Sequence, residues 1–225
     1  MTAPRRDADV VVIGAGAGGL TAAAYLAAAG RHVIVVDRQP MPGGNTAVFT
    51  HEGYEFDIGL HYLGGFRGAH PGIRAFLEPL GIDLRFREQD PDGFDTLLFE
   101  DATFAVPRGV EAFRDRLHEA FPREVSQIDR FLRHVTTLGR EIDETPPDNL
   151  RDALGYAWRT RDLLGAARTT LGGELDRLDC SPRLRVVLSW LHGVYAVPPS
   201  RAALGMHAAA MLHYLDGAWY PEGGA

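Results

Sequence analysis

The run Gly14-Ala15-Gly16-Ala17-Gly18-Gly19, set directly after the apolar stretch Asp9-Val10-Val11-Val12-Ile13, limits what this chain can become more than any other feature. Its glycines satisfy G-x-G-x-x-G. Gly14 permits a tight turn, Gly16 lets backbone approach a ligand with no Cβ in the way, and Gly19 allows a helix to pack closely on a strand. Leu20 to Ala29 is rich in alanine and leucine, which favour helix, and Gly30 supplies a stop. Arg31-His32-Val33-Ile34-Val35-Val36 then forms a second β-branched run that ends in Asp37. Both runs read as parallel strands buried on both faces. Strand, glycine turn, helix, strand and terminal acid make a βαβ unit of dinucleotide-binding type, with pyrophosphate expected at the helix N-terminus and a ribose at Asp37.

Other readings of the same segment are weaker. Val10 to Gly30 lacks charge and comes after Arg5-Arg6, the outline of a secretory signal, but Asp7 and Asp9 stand where such a signal carries only positive charge. All 23 basic residues are arginine, so a Schiff-base lysine and a P-loop lysine are excluded within these residues. Against 30 acidic residues they leave a net charge of -7, and no arginine stripe offers a footprint for nucleic acid. Cys180 is the single cysteine; it is expected to be a passive buried thiol in a reducing, cytoplasmic setting. His192, His207 and His213 lack a metal-ligand spacing, and no metal is expected.

The residues after Asp37 narrow the cofactor. Arg38-Gln39-Pro40-Met41-Pro42-Gly43-Gly44-Asn45-Thr46 places a second glycine pair shortly after the acid. In this the sequence resembles the flavin-dependent amine oxidase and phytoene desaturase superfamily. The resemblance implies FAD, with Gly14, Gly16 and Gly19 at the pyrophosphate, Asp37 at the adenosine ribose and Gly43-Gly44 as a second contact. Gly18, Arg38, Asn45 and Thr46 belong to the same expected cofactor-binding set. Asp37 departs from the glutamate usual in the family, and the shorter side chain is still expected to reach a ribose.

Ala47 to Ile58 reads as a hairpin turning at His51-Glu52-Gly53. The string Gly53-Tyr54-Glu55-Phe56-Asp57-Ile58-Gly59-Leu60-His61-Tyr62 is similar to the carotenoid isomerase and retinol saturase branch, which implies a long apolar polyene or prenyl-type lipid as substrate. His61 is expected to line a cleft, as glycine-flanked loops carry function, and Tyr62 is a second cleft candidate more suited to packing. Further on, Pro71 to Leu80 reads as a short helix and Leu84 to Glu88 as a strand. Phe94 to Val106 reads as a hairpin, Val110 to Phe121 and Arg123 to Glu144 as amphipathic helices. From Leu150 to Leu178 helices are expected to break at Gly155, Gly165 and Gly172-Gly173, with Tyr156 and Trp158 on an apolar face. Helices over Pro182 to Tyr195 and Arg201 to Leu215 come next, on which Trp190, Tyr195, Met206, Met211 and Tyr214 read as core in preference to a tunnel lining.

The last residues, Gly217-Ala218-Trp219-Tyr220-Pro221-Glu222-Gly223-Gly224, resemble the family's G-x-x-Y-P-x-G-G segment. Only two strands have parallel-sheet character, and a doubly wound sheet needs more. The expected fold class is therefore α/β: a Rossmann-type FAD-binding βαβ unit with a partial parallel sheet, β-hairpins and a mostly helical substrate subdomain. Residues 1–66 are expected to form the dinucleotide-binding segment, 67–215 a substrate-binding insertion, and 216–225 the return to the flavin domain. The resemblance implies an N-terminal part of an FAD-dependent oxidoreductase, with the remainder of the flavin domain outside these residues and weak flavin binding by the 225 residues alone. Its partners would be a small lipophilic substrate and, peripherally, a membrane. The alternatives are an NAD(P)-dependent dehydrogenase, which leaves Gly43-Gly44 unexplained, and a flavin-free prenyl-protein-binding relative.

Overall fold

The computed structural model describes residues 7–59, 61–65, 72–144, 146–147 and 149–224. Arg5-Arg6, Leu60 and Pro71 lie outside them. In chain order, β1 (Val10–Ile13), α1 (Ala17–Ala28) and β2 (Val33–Val36) come first, then β3 (Val48–His51) and β4 (Tyr54–Asp57). Next are α2 (Arg74–Leu77), β5 (Phe86–Glu88), β6 (Asp95–Leu98) and β7 (Thr103–Val106). Helices α3 (Val110–Ala120), α4 (Val125–Ile142), α5 (Leu150–Arg159), α6 (Arg161–Ala166), α7 (Leu171–Arg177), α8 (Pro182–Leu188) and α9 (Leu204–Leu215) complete the series with strand β8 (Trp219–Pro221).

Two compact units divide these elements. The first takes the described residues of Met1–Leu63, Ala69–Arg87 and Trp219–Ala225; the second takes those of Gly64–Gly68 and Glu88–Ala218. In the first unit β1 and β2 run parallel, Val10 opposite Val33 and Ile13 opposite Val36, with α1 as the crossover. The helix ends where Gly30 takes a left-handed conformation, φ 79°. The hairpin β3–β4 turns on Glu52 and Gly53, both at positive φ, as a two-residue turn matched to strand twist demands, and stacks Phe49 on Phe56 at 5.2 Å.

Burial on both faces of β1 and β2 is not what the structure shows. Val11, Ile13, Ile34 and Val36 are exposed, Ile13 at 87%. The reason is physical: β1 and β2 pair only with each other among the described residues, so α1 covers one face and nothing described covers the other. The parallel sheet is open.

The second unit holds the core. Helix α4 repeats Ile128, Phe131, Leu132, Val135 and Leu138 at helical spacing, and all five are buried against α3 and α9. Phe113 and Leu117 from α3 and Leu204, Ala208, Met211 and Leu215 from α9 complete this layer. At Gly139 the helices come so close that an added Cβ would stand 2.1 Å from Leu212 Cδ1. Helix breaks fall elsewhere than at the glycines: α5 runs through Gly155, α6 through Gly165 and α7 through Gly172-Gly173. A helical glycine costs only about 1 kcal/mol, so tertiary packing overrides it. Gly172 is needed for space, since its Cβ would lie 3.1 Å from Pro199 O and Ser200 Cα. The break between α5 and α6 is at Thr160, buried with its hydroxyl donating to Tyr156 O at 2.9 Å. Of the two residues expected on an apolar face, Tyr156 is half-buried and Trp158 is exposed. The expected Pro182 to Tyr195 helix ends at Leu188 and continues as a tighter 3-10 turn over Trp190–Gly193.

Caps define the short helices. Ser181 receives Leu184 N–H at 3.3 Å ahead of Pro182, and Thr170 receives Gly173 N–H at 3.1 Å at the start of α7. Thr170→Ala is expected to lower stability by about 1 kcal/mol in urea unfolding, with an unchanged denaturant slope. Glu174, buried beside that cap, accepts from His134 Nδ1 at 2.8 Å and from Arg177 at 2.6 and 2.8 Å. Burial pushes this carboxyl up, but Arg177 and His134 outweigh it and hold the group below its ordinary value.

Candidate functional site

The glycine turn, Asp37 and the second glycine pair meet in the first unit. Gly14 takes φ 105°, reachable at low cost only without a Cβ, and its N–H donates to Val36 O at 2.8 Å. An added Cβ at Gly19 would fall 1.9 Å from Gly14 O, so this glycine alone lets the first turn of α1 sit against the β1 terminus. Gly43, φ 113°, pairs alongside Gly16, its N–H donating to Ala15 O at 2.7 Å. A Cβ on Gly44 would approach Gly16 Cα at 3.1 Å. The two glycine segments therefore pack backbone to backbone.

Asp37 ties this arrangement together. Its carboxylate accepts the Ala15 N–H at 2.6 Å and the Gln39 N–H at 2.7 Å, one on each oxygen. These bonds, Gln39 first and Ala15 second, hold the carboxyl below its ordinary range, so it is an anion near neutrality. Each oxygen keeps a further lone pair for a ribose hydroxyl. Thr46 Oγ1 donates to Gly43 O at 2.8 Å and fixes the short 3-10 turn Gly44–Thr46. Arg38 and Asn45 are exposed beside it.

The start of α1 is suited to an anion. Gly16 caps the helix without a side-chain hydrogen bond, and the first turn carries no acid to compete for its N–H groups. Added Cβ atoms at Gly16 and Gly18 meet nothing within 4 Å, so the backbone there faces open space. Uncapped N–H groups, positive helix end and bare backbone are what a pyrophosphate requires.

Two residues with no packing role legible in the sequence, Gly59 and His213, shape the next segment. A Cβ on Gly59 would stand 2.7 Å from Asn45 O, so Gly59 lets the chain pass over the 3-10 turn. In the second unit His213 packs on the Gly64-Gly65 backbone: Gly65 N–H donates to His213 O at 3.2 Å, and a Cβ on Gly65 would lie 2.5 Å from the ring. Burial pushes His213 below its ordinary value, partly opposed by Asp216. Doubled glycines were the only signal for this contact.

His61 is exposed and Tyr62 half-buried, and neither donates or accepts in the hydrogen bonds that join Asp37, Ala15, Gly43 and Thr46. The C-terminal motif returns to the first unit: Leu63 and Trp219 exchange backbone bonds at 2.7 and 2.8 Å, and Tyr220 Oη donates to Asp57 at 3.0 Å. Met211 and Tyr214 are core, whereas Met206 is exposed. A largely apolar cavity of about 380 Å³ in the second unit is lined by a different set, including Leu175, Pro182, Val186 and Pro199. His207 is buried; its Nε2 donates to Leu188 O at 3.0 Å and its Nδ1 accepts from Tyr195 Oη at 2.8 Å. It is a satisfied core histidine. Cys180 is buried and its thiol pushed up to about 11, chiefly by desolvation, so it is not a thiolate. No group of three or more metal-binding side chains occurs among the described residues.

The βαβ unit with a double glycine cradle defines an α/β dinucleotide-binding protein. The comparisons make this specific: residues 17–224 match the family described as flavin containing amine oxidoreductase, and the chain belongs to it. It is 34% identical over 229 residues to the all-trans-retinol 13,14-reductase of Macaca fascicularis, covering 96% of this chain and 37% of that protein. With prolycopene isomerase 1 of an Oncidium hybrid cultivar it shares 35% identity over 148 residues, 65% of this chain and 25% of that one. The structure of a putrescine oxidase A394C mutant superposes with a TM-score of 0.61 at 21% identity, covering 96% of this chain and 46% of the oxidase, which supports the fold. The chain thus spans well under half of the curated relatives it matches. The cofactor of the family is FAD, and the uncapped start of α1 with open space at Gly16 and Gly18 leaves room for a pyrophosphate.

Proposed function

We propose that this chain supplies the dinucleotide end of the FAD site, and part of the substrate region, of an oxidoreductase that acts on carbon–carbon bonds of a lipophilic polyene. The observation that carries the reading is the backbone contact between Gly16 and the Gly43-Gly44 pair, latched by Asp37. A simple βαβ turn for a nicotinamide dinucleotide does not require the second glycine pair. Bound flavin supplies hydride transfer, which serves desaturation, saturation and isomerisation alike.

The residues of this chain bind and orient. Uncapped N–H groups at the start of α1 face the pyrophosphate charge, and the bare backbone at Gly16 and Gly18 admits close approach. Asp37 accepts from the adenosine ribose with the lone pairs that Ala15 and Gln39 leave, and Arg38, Asn45 and Thr46 border the same end. His61 and Tyr62 are assigned to the cleft, without an acid or base role. We assign residues 67–215 to the substrate side, consistent with their helical character and the apolar cavity. The similarity to a retinol reductase and a prolycopene isomerase supports a retinoid- or carotenoid-like polyene. We place the protein in a reducing, cytoplasmic setting, since Cys180 is the one cysteine of the sequence, and peripheral to membranes, since a lipophilic substrate partitions into bilayers.

The test is a titration of the intact protein with FAD and separately with NAD, then anaerobic mixing of a retinoid or a carotenoid with the protein carrying oxidised FAD, which can accept hydride in desaturation, and with the protein carrying dithionite-reduced FAD, which can donate it in saturation. Expected are quenching of flavin fluorescence on binding and a change in the polyene absorption spectrum. Binding of NAD with no uptake of FAD would overturn the reading, and so would capture of a prenylated GTPase by flavin-free protein.

A further inference from the structure

Helices α5 and α6 present large apolar side chains to solvent. Leu154 is 82% exposed, Trp158 69% and Leu164 58%, although α5 is strongly amphipathic and its Ala153, Tyr156 and Ala157 are half-buried. Arg151, Leu154 and Trp158 fall on one face at i, i+3 and i+7. The Arg161 guanidinium stacks over the Trp158 ring, 4.8 Å from its centroid.

Charge around this face runs against the rest of the molecule. From Arg151 to Arg168 there are four arginines and two aspartates, in a chain whose net charge is -7. Arg159 is held by Glu144 at 2.7 Å, while Arg151, Arg161 and Arg168 make no ion pair among the described residues and are exposed. Asp152 accepts the Asn149 side-chain N–H at 2.8 Å.

We infer that α5 and α6 dock on an anionic lipid surface, Leu154, Trp158 and Leu164 entering the interface while Arg151, Arg161 and Arg168 meet the headgroup phosphates. Tryptophan and leucine backed by arginine suit the boundary between headgroup and acyl chain, where an aliphatic stem lies along apolar surface and its guanidinium stays in the polar layer. Basic residues near such a surface add attraction that falls off within a Debye length. The three apolar side chains are exposed, and an exposed apolar face edged by arginines suits a lipid boundary, whereas a groove would suit a peptide. The inference deepens the functional reading, on which its purpose rests, by naming where an enzyme with a lipophilic substrate meets the membrane that dissolves it.

The test is co-sedimentation of the intact protein with vesicles of phosphatidylcholine alone and of phosphatidylcholine mixed with phosphatidylglycerol. The unmodified protein is expected to partition onto the anionic vesicles and to be released by added salt. Leu154→Ser with Trp158→Ser is expected to weaken partitioning by about tenfold or more, as both side chains lose apolar burial. Arg161→Glu is expected to do the same through charge reversal. These positions are exposed, so thermal unfolding and FAD uptake should be unchanged, which separates this outcome from failure of the flavin reading. Equal partitioning of the variants and the unmodified protein would overturn the inference. So would dimerisation in solution that the Leu154 and Trp158 changes abolish without any lipid binding, which would make the face an interface between copies.

Discussion

Gly19→Ala is expected to damage both the fold of the first unit and its hold on FAD, by more than any other single methyl in the cradle. The new Cβ would stand 1.9 Å from Gly14 O and 3.0 Å from Gly14 C, both backbone atoms that cannot rotate away. Relief requires α1 to move off the end of β1, which breaks the turn that Asp37 latches through Ala15. Overpacking of this kind costs about 1–3 kcal/mol, and an immovable backbone neighbour puts Gly19 at the upper end. Gly16→Ala is the informative contrast. Its φ of -80° suits any residue and its Cβ meets nothing within 4 Å, so stability should change by less than about 0.5 kcal/mol. The methyl would nevertheless project into the space assigned to the pyrophosphate, and FAD affinity should fall at least about tenfold, or ~1.4 kcal/mol. Thermal unfolding with and without FAD separates the two. A Gly19→Ala protein that melts with the unmodified one would refute the packing argument, and a Gly16→Ala protein with full affinity would refute the cradle.

Acid should unfold the second unit through His207. Desolvation dominates its surroundings and pushes the imidazole down to about 4, although the Leu188 carbonyl that accepts from Nε2 favours the charged form. In the unfolded chain the ring regains its ordinary value of 6.5. The unfolded state therefore binds the proton first, and stability is lost as pH falls from about 6.5 toward 4, with the loss complete below that and absent above neutrality. The full effect is about 3 kcal/mol, a large part of the total for a domain of this size. Urea unfolding at pH 7 and pH 5 measures it. His207→Asn, which lacks the titration, should be weaker at pH 7 but should flatten the pH dependence between those values; an unchanged slope would remove His207 as its source.

The cradle was legible because its demands are local. A turn, a close approach and a strand-ending acid each require a particular residue at a fixed spacing, and Gly14, Gly19 and Asp37 sit where those demands fall. The α4 stripe was legible for the same reason, since its 3.6-residue period needs no knowledge of the partner helices. The features hidden from the sequence depend on distant neighbours. Ile13 and Val36 read as buried because parallel strands normally have strands beside them and helices on both faces, and here those neighbours are not among the described residues. Gly155 read as a helix break, yet packing carries α5 through it to Thr160. Trp158 read as part of an apolar face of α5, and whether that face is covered depends on how α5 lies in the second unit, where Trp158 is exposed. The contact of His213 with Gly64-Gly65 joins residues far apart in sequence, beyond what any local pattern reports.

The open face of the β1–β2 pair also bears on how the molecule behaves in concentrated solution. Val-Val-Val-Ile and Val-Ile-Val-Val are uncharged, β-branched and free of proline, and their outer edges have no partner strand among the described residues. Such edges are templates on which identical strands of other molecules add, building fibrillar stacks. Covering that face would therefore guard against self-templating. A charged gatekeeper at Ile13, whose side chain lies 87% open, should suppress the tendency without touching the glycine cradle's own contacts.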